Sequence, residues 1–398
     1  MIKPDCGEHR RTHLELSEDS SGSHKSYEVT ACSTKRLSAP RRAWGCQSPI
    51  WHNTFTPTTA CHLGNPGTVD HYTATHPVTT NVGVDAYVQA ETTFEMVMTV
   101  TTIDEQTAVL ALTQATHSVP WHYTARAIAS AGSACKILDE DLIGLDEGDR
   151  VHAVDIASRV EPEDLRRTRN LIITMQAHGI DLVTILDDTY PGNMLWANNY
   201  QPFLWIRGQL NTEDYRAVAV VGERDSTLAA AAAQALAHAG LTVVAPLDTD
   251  LDAAVHEAAL AVGGHTLGVL SGGIAEPSTL GQYANVAQQI VERGALVSQF
   301  WPDTARADQT TALARIVTCG LAATIYIADG CDGGSSHRYV ESVLKTGKHV
   351  FVPQWLQQEQ PWVTRAGFRG GITAVQDIDD LSKQAVNLID MSSQSTMF

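Results

Sequence analysis

From residue 217 onward, short apolar runs alternate with longer amphipathic stretches, and glycines punctuate the junctions. The run AVAVV at 217–221 is too short for a free-standing helix and suits a strand buried on both faces. Gly222 ends it, a polar loop follows, and an Ala-rich segment to residue 239 carries strong helix propensity. Gly240 stands where a helix C-cap belongs, and 241–245 resumes as a second strand. The same alternation predicts strands at 266–270, 295–299, 323–328 and 349–353. Helices are predicted between them at 252–262, 280–293, 307–320 and 335–345. Six parallel strands with intervening helices make a doubly wound α/β sheet, with ligands expected at the carboxyl ends of the strands.

Upstream the period changes. Helical spacing at 103–116, 121–131, 137–143 and 160–177 predicts a small helical domain over residues 102–178. Arg166, Arg167 and Arg169 on the last of these helices read as a solvated face or a phosphate contact. A strand at 181–186, a turn, a helix-like stretch to residue 199 and a strand at 204–207 lead into the α/β domain, which spans 180–380. Residues 381–398 read as a C-terminal helix, from about Ser382, and a polar tail. Residues 1–98 lack hydrophobic periodicity and are rich in Ser, Thr, His, Pro and Gly. Such a segment cannot bury enough apolar area to offset chain entropy, so it is expected to be a disordered or non-native extension. Met96 and Met98 are the alternative starts.

Composition narrows the class. The 398 residues carry a formal net charge of −18, which argues against broad adhesion to nucleic acid or anionic membrane but leaves room for a local basic groove. No apolar run approaches the roughly 18 residues of a membrane helix, and no signal peptide is read. Seven cysteines form no CxxC pair, so zinc spacing is absent and reduced thiols in a cytoplasm are expected.

Three loops at strand ends could carry chemistry. In the first, Gly222 permits close approach, Arg224 offers a planar donor, and Ser226 or Thr227 can cap the helix or meet an oxyanion. A plain capped turn with a surface Arg is the competing reading. In the second, Asp248, Asp250 and Asp252 stand near His256 and suit a divalent cation or simply a helix start. In the third, Gly334, Ser335 and Ser336 open a helix whose N–H groups suit a phosphate. Arg315, on the helix before the fifth of these strands, faces the same edge. No Ser/His/Asp set or acid–base pair is recognised, so neither a catalytic residue nor a metal or cofactor is assigned.

Tyr190-Pro191, FLWIRG at 203–208, VAVVGER at 218–224, VHEAAL at 255–260 with Gly263-Gly264, LVS at 296–298 and RIV at 315–317 occur in order. Together they resemble the DNA-processing protein A family (DprA/Smf) of bacteria over roughly residues 105–380. The resemblance implies an extended Rossmann-like domain after a helical one, binding single-stranded DNA in a basic pocket without being an enzyme. It further implies a cytoplasmic homodimer that hands the strand to the RecA recombinase in natural transformation. Carried over by position, Gly222 and Arg224 match the family's G-S-R loop with Glu223 in place of Ser, and Arg315 matches the last Arg of its R-N-R. Gly334, Ser335 and Ser336 stand at its S-G-S stretch.

The departures have chemical content. The family's S-G-x-A-R-G-I-D loop is here APLDTDLD at 245–252, with Pro246 and Asp250 for the glycines and Thr249 for the Arg. Proline lacks an N–H and added carboxylates repel phosphate, so both changes oppose anion binding. The expectation is therefore a weakly DNA-binding protein, with a small-molecule nucleotide sensor or nucleotide hydrolase on the same fold as the alternative.

Overall fold

The computed structural model describes residues 102–395 apart from residues 118 and 196–199. The expectations for residues 1–98 therefore lie outside the described residues. Thr102 accepts the Glu105 N–H at its hydroxyl (3.3 Å) and caps α1 (Ile103–Ala115). This helix is buried nearly all round, as a helix with no polar face must be. Around it lie α2 (His122–Ala131), α3 (Ala134–Leu138), α4 (Glu147–Ala157) and α5 (Pro162–Ala177). Two differences from expectation appear here. The third helix ends at Leu138, and α4, capped by Asp146 accepting the Asp149 N–H (2.8 Å), is additional. Its Val151 and Val154 are exposed, which erased the apolar stripe that would have revealed it. The arginines of α5 are consumed by acids: Arg166 by Glu163, Arg167 by Asp164 and Arg169 by Asp104.

β1 (Asp181–Thr184), the short α6 (Gly192–Leu195) and β2 (Phe203–Gly208) follow. Gln106 of α1 donates to the Leu182 carbonyl (2.9 Å), and Phe203 and Trp205 of β2 are buried in one core with the helices. Next come β3 (Ala217–Val221), α7 (Ser226–His238), β4 (Thr242–Pro246), α8 (Asp250–Ala261) and β5 (Thr266–Val269). The stretch expected as one helix at 280–293 is broken into α9 (Pro277–Leu280), a 3₁₀ turn and α10 (Ala284–Arg293), because Gly281 adopts φ +49°. β6 (Ala295–Ser298), α11 (Asp308–Leu321), β7 (Thr324–Ile327), α12 (Ser335–Lys345) and β8 (His349–Pro353) complete the expected alternation. Then α13 (Gln354–Glu359) and α14 (Pro361–Ala366) lead to β9 (Ile372–Val375) and α15 (Ile378–Ser395).

The nine strands form one sheet in the order β1-β2-β6-β5-β4-β3-β7-β8-β9. Seven are parallel, one more than expected, and β1 and β2 add an antiparallel edge. β9 escaped the sequence pattern because it is four residues at a sheet edge, only its last residue fully buried. In β3 the side chains alternate strictly: Val218 and Val220 pack under α7, α8 and α15, whereas Ala217, Ala219 and Val221 pack under α11 and α12. Helices on both faces make this a doubly wound α/β sheet, as expected. No helix among the described residues is long and apolar enough to cross a membrane.

Charged groups close the helix ends. The Lys348 ammonium donates to the carbonyls of Cys319, Gly320 and Ala322 at the end of α11 and to that of Asn193 (2.7–3.0 Å). At the end of α10, His265 Nδ1 meets the Arg293 carbonyl (2.6 Å) while its Nε2 meets Asp214 Oδ1 (3.1 Å). An acceptor at each ring nitrogen suits the doubly protonated ring. Burial works against that charge, but the bonds to Asp214 and Arg293 outweigh it and hold the His265 pKa above its ordinary 6.5. The clasp is therefore complete below that ordinary value and is lost as pH rises through the folded-state value. The wild type is expected to lose stability relative to His265→Gln as pH rises above about 6.5, measured by chemical denaturation of both at stepped pH. Parallel profiles would contradict the charged clasp.

Candidate functional site

The chain runs outward from β3 through β4 and β5 to β6, then returns to lay β7 on the other side of β3. At such a reversal the loops after the two central strands diverge, and the crevice between them is where doubly wound sheets hold ligands. Here the loops are 222–225 after β3 and 328–334 after β7, two of the three singled out from sequence.

These loops are bonded to each other. The Asp329 carboxylate, almost fully buried, accepts the Glu223 N–H (2.7 Å) and the Arg224 N–H (3.0 Å). The Arg224 guanidinium stands 4.0 Å from the same carboxylate. In return the Glu223 carboxylate accepts the Ser336 N–H in the first turn of α12 (3.0 Å), the Cys331 thiol (3.3 Å) and the Ser335 hydroxyl (3.5 Å). Both glycines are needed for this. A Cβ on Gly222 would stand 2.7 Å from Asp329 Oδ1, and one on Gly334 would collide with the Glu223 carboxylate. Each backbone cradle that the sequence offers to a phosphate therefore holds a carboxylate from the opposite loop.

The remaining expected residues divide. Ser336 is fully buried and its hydroxyl donates to the Asp329 carbonyl (2.6 Å), so it is a structural bond and faces no ligand. Ser226 and Thr227 are exposed in the first turn of α7, and neither caps it: Asp225 does, accepting the Leu228 N–H (2.9 Å). Ser335 is exposed beside Glu223. Arg315 lies in the middle of α11 with its guanidinium over the ring of Tyr339 (5.4 Å), and its buried Nε has no hydrogen-bond partner among the described residues.

The three aspartates of the second loop go to separate tasks. Asp252 accepts the N–H groups of Asp248 (3.1 Å) and Thr249 (2.9 Å), while Thr249 caps α8, a reciprocal capping box. Asp248 takes the Ser271 hydroxyl and pairs with Arg306 (3.4 Å). Asp250 takes Gln282 and Tyr283 (both 3.0 Å). Among the described residues no group of three His, Cys, Asp or Glu is placed to hold a metal ion. His256 is fully buried, with Nε2 on the Pro246 carbonyl (3.0 Å) and Nδ1 on the Thr266 hydroxyl (2.8 Å). Burial lowers its pKa to about 4, so the ring is neutral near pH 7.

Sequence reasoning missed Asp329 and Glu223 as fillers, and Ser271 and Arg306 as partners of the acidic loop. The acid types were visible; their partners lie too far along the chain to be paired by spacing. Across this edge of the sheet, Glu223, Asp225, Asp248, Asp250, Asp252, Asp329 and Asp332 stand with Arg224, Arg306, Arg315 and Arg365, the last paired with Asp332 (2.7 Å). Seven carboxylates to four guanidiniums do not make a basic pocket.

The sequence model of the DNA recombination-mediator protein A family matches residues 181–386. Protein Smf of Escherichia coli (strain K12) is 26% identical over 178 residues, which is 43% of this chain and 47% of that protein. The match thus spans about half the length of that curated relative. Similar solved structures include the following two. DNA processing protein A from Streptococcus pneumoniae has a TM-score of 0.47 at 21% identity, over 65% of this chain and 96% of that one. DNA processing protein A from Helicobacter pylori, described for its single-stranded DNA binding mode, has a TM-score of 0.44 at 16% identity, over 52% and 96%.

Burial raises the Asp252 pKa from 3.8 to about 6, against the hydrogen bonds from Thr249 and Asp248 that lower it. The folded state then binds the proton more tightly, so this group removes stability as pH rises from 3.8 to 6. His256 tilts the other way, adding stability as pH rises from 4 to 6.5. Asp252→Asn keeps an acceptor for the cap and abolishes the first slope. Relative to wild type it is expected to gain on the order of 3 kcal/mol between about pH 4 and about pH 6, read from denaturation midpoints. A difference that stays constant with pH would contradict the buried-carboxylate account.

Proposed function

The chain belongs to the DNA recombination-mediator protein A family, and from that membership we propose that it binds single-stranded DNA and acts in DNA uptake and recombination. The single observation that carries the reading is Arg315. Its guanidinium is held against an aromatic ring, with a buried Nε that no group among the described residues satisfies. The residue is partly exposed, so an Arg fixed in this way offers a phosphodiester the terminal N–H groups of its guanidinium, the buried Nε staying inside. The exposed Arg224 supplies the second contact from the loop after β3.

Binding is weak in this reading. Phosphate contacts supply most non-specific affinity, and the surrounding carboxylates oppose it. The protein carries no catalytic function. It works as a cytoplasmic homodimer and presents the strand to the RecA recombinase, as the family resemblance implies. The nucleotide-sensor alternative has less to recommend it, because each aspartate of the second loop already serves the fold.

Filter-binding titrations with a thymidine oligonucleotide at several salt concentrations test this. The variant Arg224→Ala/Arg315→Ala is expected to bind more weakly. Its logarithmic salt slope should be shallower by about 0.7 for each phosphate contact removed. Equal, salt-insensitive binding by wild type and variant would sink the proposal.

A further inference from the structure

We infer that Glu223 is an intramolecular competitor of phosphate, an autoinhibitory contact that makes the switch-point crevice selective for a strand over a free phosphate or mononucleotide. The inference rests on the proposal that this face binds single-stranded DNA.

Three donors converge on the Glu223 carboxylate: the Ser336 N–H, the Ser335 hydroxyl and the Cys331 thiol. They come from a glycine-containing loop and the first turn of an eleven-residue helix, an arrangement that otherwise receives an anion from outside. The space over Gly334 that an incoming oxygen would occupy is filled by this carboxylate. Asp329 fills the facing cradle differently. It is almost fully buried and bonded to two N–H groups, so it belongs to the framework. Glu223 is only half-buried, sits on a side chain with three rotatable bonds, and lies beside the exposed Arg224. Rotation of Glu223 alone would release the helix N-terminus while the Asp329 bonds stay in place.

The selectivity follows from where the binding free energy comes from. A tethered carboxylate is present at a high effective concentration, so a lone phosphate gains little by replacing one anion with another. A strand also engages Arg224 and Arg315, and these added contacts offset displacement of Glu223.

The test compares wild type, Glu223→Ser and Glu223→Gln by thermal shift with inorganic phosphate and by titration with a thymidine oligonucleotide. Wild type is expected to give no shift with phosphate. Glu223→Ser is expected to be stabilised by phosphate and to bind the oligonucleotide about tenfold more tightly, with a salt slope steeper by about 0.7 for the added contact. Glu223→Gln retains an acceptor for the Ser336 N–H without the charge and is expected to fall between the two, which gives a reading if the serine variant folds poorly. Unchanged responses of both variants to both probes would overturn the inference, even if wild type binds the strand. A phosphate response in Glu223→Ser with no strand binding by any of the three proteins would overturn single-stranded DNA as the ligand and leave Glu223 as the occupant of an anion site.

Discussion

At the carboxyl edge of a parallel sheet, backbone N–H groups emerge from the ends of strands and the starts of helices with no partner in the regular structure. Leaving such groups buried and unpaired costs about 1–3 kcal/mol each. In this protein the two central loops resolve that problem against each other. Asp329 takes the N–H groups after β3, and Glu223 takes the start of α12. The exchange joins segments more than a hundred residues apart across the point where strand order reverses, and so fixes the spacing of β3 and β7 at their open end. Arg224 and Ser335 take their positions from it.

The same use of charge recurs at the other helix ends. Asp225 caps α7, Asp252 closes the capping box of α8, and Lys348 gathers the last carbonyls of α11. His265 bridges the end of α10 to Asp214. A net charge of −18 is thus a poor guide to how any part of the surface meets a polyanion, because many of the acids are bound to backbone N–H groups. Their charges still contribute to the field around the crevice.

The α/β framework was legible because strands buried on both faces read as unbroken apolar runs, and glycines mark the turns between them. Where burial is partial the pattern fades: α4, with Val151 and Val154 outward, and β9, at the sheet edge, gave no periodic signal. Of the candidate site, the loops and Arg315 were legible from residue type and position. The occupancy of those loops was not. Glu223 reads from sequence only as a replacement for the family's Ser, and only the fold shows that its carboxylate accepts the N–H at the start of α12. The acidic second loop misled for a related reason. Three aspartates in five residues suggest one site, but their directions on a turn and a helix start send them to three different partners.

The departures from the family's motifs are mutually consistent, and that bears on whether the site has merely decayed. A site losing its role would be expected to leave donors unsatisfied where ligand groups once bonded. Here Thr249 has become the cap of α8, the carbonyl of Pro246 receives His256, and Glu223 satisfies the N–H of Ser336. Each altered position has acquired a partner within the chain. Arg315 differs. Its Nε is buried without a hydrogen bond, and Tyr339 supplies a ring face where a carboxylate would have neutralised it. Retaining an unpaired guanidinium donor costs stability, as leaving any buried polar group unsatisfied does. Among the described residues, Arg315 thus stands apart from the altered positions, as a buried donor that the fold itself leaves unsatisfied.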